Sequence, residues 1–175
     1  PLSGSATPVG DRVYVPATTQ ETGRLHALDA AGGGSVWRHE PTAAEPRTPV
    51  FAAPAVTDDA VYVPVTRIDG ETARAELQVL AADDGQLRRR SPTLPGEFRA
   101  RPVVDTDGTA YVATRVGVVA AVDDEVAWQT NLDGEICSTP ALDDDTVDVL
   151  AGHRLATLDT GNANRPLQPT PLSLR

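Results

Sequence analysis

Two stretches place carboxylates where a cation could be held: Asp105-Thr106-Asp107-Gly108 and Asp143-Asp144-Asp145. Closely spaced carboxylates on a loop are one way to surround calcium with oxygen. A complete loop of the EF-hand kind also needs further oxygens and a bidentate glutamate at its twelfth position, which neither stretch supplies. Asp and Gly are equally the residues of a tight hairpin. Both stretches are therefore read as turns, with weak cation binding as the alternative. The one cysteine, Cys137, would need a nearby imidazole and positive surroundings to act as a nucleophile. Its nearest histidine in the sequence, His153, belongs to a different hairpin, so a small buried hydrophobe is the expected role. His26, His39 and His153 lack zinc-site spacing. Gly32-Gly33-Gly34 is read as a flexible hairpin, because no helix follows that would turn it into a phosphate cradle. Arg88-Arg89-Arg90 either guards an outer strand against edge pairing or docks an acidic partner. No catalytic, cofactor-binding or metal-ligating residue is assigned on these patterns.

The elements that carry these residues repeat. Pro8, Pro54, Pro102 and Pro140 each open a Pro-Val or Pro-Ala pair, at separations of 46, 48 and 38 residues. Four short strands with their turns need roughly 40 to 50 residues. After each proline comes a turn and then Val13-Tyr14-Val15, Val61-Tyr62-Val63, Ala110-Tyr111-Val112 or Val147-Asp148-Val149. All three tyrosines of the chain occupy the same slot. A third run follows as Leu25 to Asp29, Leu77 to Ala81, Val119 to Asp123 and Leu155 to Asp159. A fourth carries Trp37, Arg89, Trp128 and, by this alignment, Arg165. The runs are short, β-branched and separated by Asp/Gly turns, which predicts strands and excludes helices. A four-stranded sheet cannot keep both faces dry alone, so the units must stack. The expected fold is all-β, a propeller of four-stranded antiparallel blades at residues 6–40, 52–91, 102–131 and 138–170, in one domain over 1–175. Blade two is expected to have the longest loop between its second and third strands, from Arg67 to Ala75. Prolines are expected in the crossings His39 to Val50 and Ser91 to Arg101 and not inside strands.

The pattern Pro-Ala/Val, Val-Tyr-Val, Leu-x-Ala-Leu-Asp, Gly-x-x-x-Trp resembles the repeat of the PQQ-like, quinoprotein-type β-propellers from about Ala6 to Arg165. The resemblance implies that Trp37 and Trp128 pack between adjacent blades, and that the joints at Arg89 and Arg165 are sealed in another way, with a guanidinium stacked on an apolar stem as one means. The family holds calcium- and PQQ-dependent alcohol dehydrogenases. It also holds non-catalytic members, among them extracellular sensor domains and a lipoprotein that assists outer-membrane barrel assembly. Its dehydrogenases carry an adjacent cysteine pair beside the quinone. This chain has no such pair, and no cofactor is expected. Such propellers generally close with seven or eight blades. The four seen here, with proline-rich ends and no methionine in the chain, are read as part of a larger ring or as a half that pairs with itself.

The net charge is −10, and every one of the 15 Lys+Arg residues is arginine. That acidic, lysine-free composition resembles a salt-adapted archaeal protein and excludes non-specific nucleic-acid binding, which needs basic surface. No run approaches the ~20 apolar residues of a membrane-spanning helix. In a propeller the first-to-second and third-to-fourth turns share one face, which here collects the aspartates, opposed by little more than Arg12. The opposite face is mixed in charge. A protein partner or small ligand is expected there, at Arg47, Arg67, Arg99, Arg101, Arg115 and His153. The function expected is a non-catalytic interaction scaffold, extracytoplasmic or at the cell surface and membrane-anchored. The alternatives are a fragment of a quinoprotein dehydrogenase and an extracellular sensor or adhesin.

Overall fold

The structure is a computed structural model that describes residues 4–18, 23–40, 50–161 and 166–171, the last of these by backbone alone. Four antiparallel sheets follow one another along the chain, with no helix among the described residues. Sheet one contains β1 (Thr7–Val9), β2 (Arg12–Thr18), β3 (Gly23–Asp29) and β4 (Ser35–His39), paired in chain order. Sheet two has six strands: β5 (Val50–Phe51), β6 (Ala55–Val56), β7 (Ala60–Asp69), β8 (Thr72–Ala81), β9 (Leu87–Arg90) and β10 (Leu94–Pro95). Sheet three returns to four with β11 (Val103–Val104), β12 (Ala110–Ala113), β13 (Val118–Val122) and β14 (Val126–Asn131). Sheet four is β15 (Ala141–Asp143), β16 (Thr146–Ala151), β17 (Arg154–Asp159) and β18 (Pro166–Pro171).

Stacking is visible in the alternation of side chains. In sheet three, Ala110, Val112, Ala120 and Val122 join Tyr62, Leu77 and Val79 of sheet two, while Tyr111, Ala113, Val119 and Ala121 join Val147, Val149 and Leu158 of sheet four. Tyr14, Leu25, Ala27 and Trp37 of sheet one meet Val61, Val63, Val65 and Leu80 of sheet two. All three tyrosines are therefore buried in equivalent places, each facing the next sheet.

The fourth-strand residue seals each joint. Trp37 donates its indole N–H to the Ala82 carbonyl at 3.0 Å, and Trp128 donates to the Thr160 carbonyl at 2.7 Å. Arg89 stands in the same register, opposite Val79 as Trp37 is opposite Ala27 and Trp128 opposite Ala121. Its guanidinium donates to Asp123 and, at 3.0 Å, to Asp124, the position equivalent to Ala82 and Thr160. The joint expected to rest on an apolar stem is thus an ion pair across sheets. In sheet four the residue registered opposite Thr157 is Leu167, which corrects the alignment to Arg165, a residue outside the described ones.

Three further expectations are corrected. Arg67 to Ala75 is not a loop: β7 and β8 stay paired out to Asp69 and Thr72 and close over Gly70, at φ 57°. The extension is held by flanking strands, β5 at Val65 and Thr66 and β10 at Arg74 and Ala75. The Ser91 to Arg101 crossing accordingly contains a strand, β10. Prolines do enter strands, in β1, β10 and β18 and, within long central strands, at Pro16 and Pro64. Pro16 lies past Tyr14, where pairing with β1 stops, and Pro64 lies between the stretches paired with β5 and β6. A missing N–H costs least where no ladder partner exists.

Candidate binding face

The segments that lead into the first strands of successive sheets converge on one face. Parts of residues 4–7, 50–53, 97–101 and 137–139 line a cavity of about 590 Å³. Phe51 and Phe98, at 0% and 5% exposure, belong to its wall, and the buried Thr66 hydroxyl fixes the segment by accepting the Phe98 N–H at 3.0 Å. Arg99, Arg101 and Cys137 are exposed on its lining. A second hollow of about 560 Å³ shares Ile68 and Glu97 with the first and adds Arg115, Val116 and Glu135.

Charges between the hollows are locked together. Glu97 Oε1 lies 2.9 Å from Arg99 Nη2 and 3.2 Å from Arg115 Nη1, and Arg115 Nη2 donates to Glu135 at 2.9 Å. Burial alone would raise the Glu97 carboxyl; the hydrogen bonds from Arg99 and Arg115 outweigh it and hold the group below the usual glutamate range. The backbone repeats the link, since the Arg115 N–H donates to the Glu97 carbonyl at 2.8 Å. Beside this polar strap, Ile68 and Val116 are 46% and 56% exposed. Exposed apolar side chains beside anchored charges offer contact area to a protein surface or an extended ligand.

Of the residues expected on this face, Arg99 and Arg101 border the cavity and Arg115 borders the adjoining hollow. Arg67 pairs instead with Glu76 at 3.3 Å, both side chains largely buried; Arg90, Gln78 and, through Gln78, His39 complete that cluster. His153 is exposed in the β16–β17 turn and lines neither hollow. Arg47 lies outside the described residues. Cys137 corrects its expected burial: it is exposed, because its neighbour Ile136, at 0% exposure, takes the inward position. The apolar contributions of Ile68 and Val116 were not singled out from the sequence, although Val116 between Arg115 and Gly117 is an unusual residue for a turn.

The opposite face is less uniformly acidic than expected. Arg88 reaches it to pair with Asp59 at 2.8 Å, as Arg89 does with Asp123 and Asp124. Asp105 is engaged in its own turn: Oδ1 accepts the N–H groups of Asp107 and Thr109 at 3.0 and 2.9 Å, and Oδ2 accepts the Tyr111 hydroxyl at 3.0 Å. Among the described residues no three His, Cys, Asp or Glu side chains converge as metal ligands would. Nor is any helix among them long and apolar enough to cross a membrane.

Stacked antiparallel sheets, three of four strands and one of six, with loops converging on one mouth define a β-propeller of the PQQ-like kind. The family model of the outer membrane protein assembly factor BamB matches residues 1–88 and again residues 73–166, and the chain belongs to that family. Among solved structures, BamB from Moraxella catarrhalis is similar at TM-score 0.71 and 20% identity, covering 98% of this chain and 50% of that one. Apo AztD from Citrobacter koseri is similar at TM-score 0.60 and 15% identity, covering 98% and 47%. The chain thus spans about half the length of these structures, and likeness at such identity establishes the fold alone. No curated protein matches the sequence.

Proposed function

We propose that the protein is a non-catalytic scaffold that binds a protein partner at the mouth formed by Arg99, Arg101, Arg115, Ile68 and Val116, outside the cytoplasm and in association with a membrane complex. The observation that carries this reading is the pair of adjoining hollows, apolar at the rim and braced by Glu97. Family membership supports it, since the family takes its description from an assembly factor.

The same reading places these sheets in one propeller domain with a larger ring, of seven or eight blades. Sheet one supports this. Val61, Val147, Val149 and Leu158 are wholly buried by a preceding sheet, whereas Val13, Val15 and Leu28, in the same slots, are only partly buried. The Ala30 N–H donates to the Asp11 carbonyl as Ala82 does to Asp59 and Thr160 to Asp145, which shapes the turn that accepts an indole N–H in sheets two and four.

The test uses the exposed thiol at the mouth. A photo-crosslinker on Cys137 should capture a partner in the native host. Once purified, that partner should bind the intact protein and lose affinity at least tenfold on Arg99→Glu/Arg101→Glu. Unchanged affinity of the double variant would overturn the mouth as the docking surface. Tight calorimetric binding of PQQ with calcium would overturn the scaffold in favour of a dehydrogenase.

A further inference from the structure

The four sheets treat their outer edges differently. An exposed edge strand offers unpaired N–H and C=O groups to any extended chain, and proteins block such edges with charge or proline. β4 carries Arg38 and His39, β9 carries Arg88, Arg89 and Arg90, and β18 contains Pro166, Pro169 and Pro171. β14, Val126-Ala127-Trp128-Gln129-Thr130-Asn131, has neither a charge nor a proline.

Its hydrogen-bonding parity follows from its neighbours. The Thr114 N–H donates to the Val118 carbonyl, so Val118 faces β12, and Val119 and Ala121 therefore turn their backbone groups to Thr130 and Trp128. The Leu132 N–H, of the same parity, donates to the Gly117 carbonyl. The amides and carbonyls of Gln129 and Asn131 consequently point away from the sheet, and both residues are exposed; Ala127 lies at the register shift that ends this alternation. Among the described residues nothing pairs with them.

We propose that β14 is a strand-addition site for an extended segment of a partner protein, with an uncharged centre and basic flanks. Charge selects that occupant. The strand is bracketed by Asp123-Asp124-Glu125, which exceed the single Arg89 that pairs with the first two, and by Asp133 and Glu135, of which Glu135 also holds Arg115, so both ends stay acidic. An antiparallel β14–β14 pairing of two copies would bring one acidic cluster against the other, whereas arginines or lysines at both ends of a foreign strand would be attracted. This surface lies on the periphery of the stack and does not depend on the mouth reading.

The probe is a fluorescent peptide of alternating threonine and valine with two arginines at each end, titrated into the intact protein. Binding should protect the amides of Gln129 and Asn131 from hydrogen exchange, weaken as salt rises, and disappear for a peptide with glutamate flanks. Gln129→Pro removes only an outward N–H and should weaken binding at least tenfold with the thermal midpoint little changed. If that variant fails to fold, Gln129→Lys, which places a charge on the edge, should give the same loss. Absence of binding, protection confined to other strands, equal affinity for both flank types, or pairing of two copies through β14 seen in sedimentation with matching protection would each overturn the proposal.

Discussion

Gly85 shows how one residue serves two sheets. It sits in the β8–β9 turn at φ 72°, and a Cβ there would come within 2.5 Å of the Trp37 ring. Both the left-handed backbone and the packed indole oppose a side chain. Gly85→Ala should cost about 1–3 kcal/mol in chemical unfolding, and a change within error would show that the indole can move aside. Tyr111 is constrained by chemistry of another kind: burial, followed by its hydrogen bond to Asp105, pushes the phenol up to about 12. A folded-state value above the unfolded one means that the stability is complete below pH ~10 and is lost as pH rises towards 12. An ultraviolet titration should find one tyrosine ionising last, and Tyr111→Phe should remove that step. His39 has the opposite sign. Burial outweighs its bond to Gln78 and lowers it from 6.5, so its contribution is present above pH 6.5 and is lost as pH falls. His39→Gln should flatten the pH dependence of the thermal midpoint between pH 7 and 5, in the sense that the wild type loses more.

At the scale of the sheet, the sequence revealed most where repetition forced it. The Val-Tyr-Val and Leu-x-x-Leu-Asp runs located second and third strands because each slot has the same neighbour on either side. Repetition set Trp37 and Trp128 on fourth strands, and the resemblance to the PQQ-like repeat implied their place between sheets. What escaped was decided by contacts distant in sequence. The β7–β8 hairpin extends because β5 and β10 arrive from both crossings, and Arg89 finds Asp124 only after two sheets have stacked. The mouth was legible as a face, through the sorting of turns, but its apolar rim was not, since exposure of Ile68 and Val116 is a property of the assembled hairpins. Arg89 also permits a test at this scale. Its side chain is 24% exposed and those of Asp123 and Asp124 are 54% and 82% exposed, so solvent screens the pairs. An Arg89/Asp124 double-mutant cycle should give about 0.5–1 kcal/mol of coupling at low salt and less at high salt. Zero coupling at low salt would return the joint to packing alone.

For the whole molecule, the net charge of −10 without a single lysine sets a balance between hydration and self-repulsion. Screening should relieve the repulsion, so the thermal midpoint should climb as sodium chloride is raised from dilute buffer towards molar concentrations. A flat or falling midpoint would detach the composition from salt adaptation and leave it as a trait of the coding sequence.

The alternation tryptophan, arginine, tryptophan along the stack has a mechanical corollary. All three seams have apolar interiors; two are capped at the fourth strand by indoles and the middle one by ions near water. Added electrolyte therefore weakens the middle cap and leaves the outer two untouched. The tip of β9 should loosen in concentrated salt while the apolar cluster beneath it, with Tyr62, Val112 and Val122, keeps sheets two and three joined.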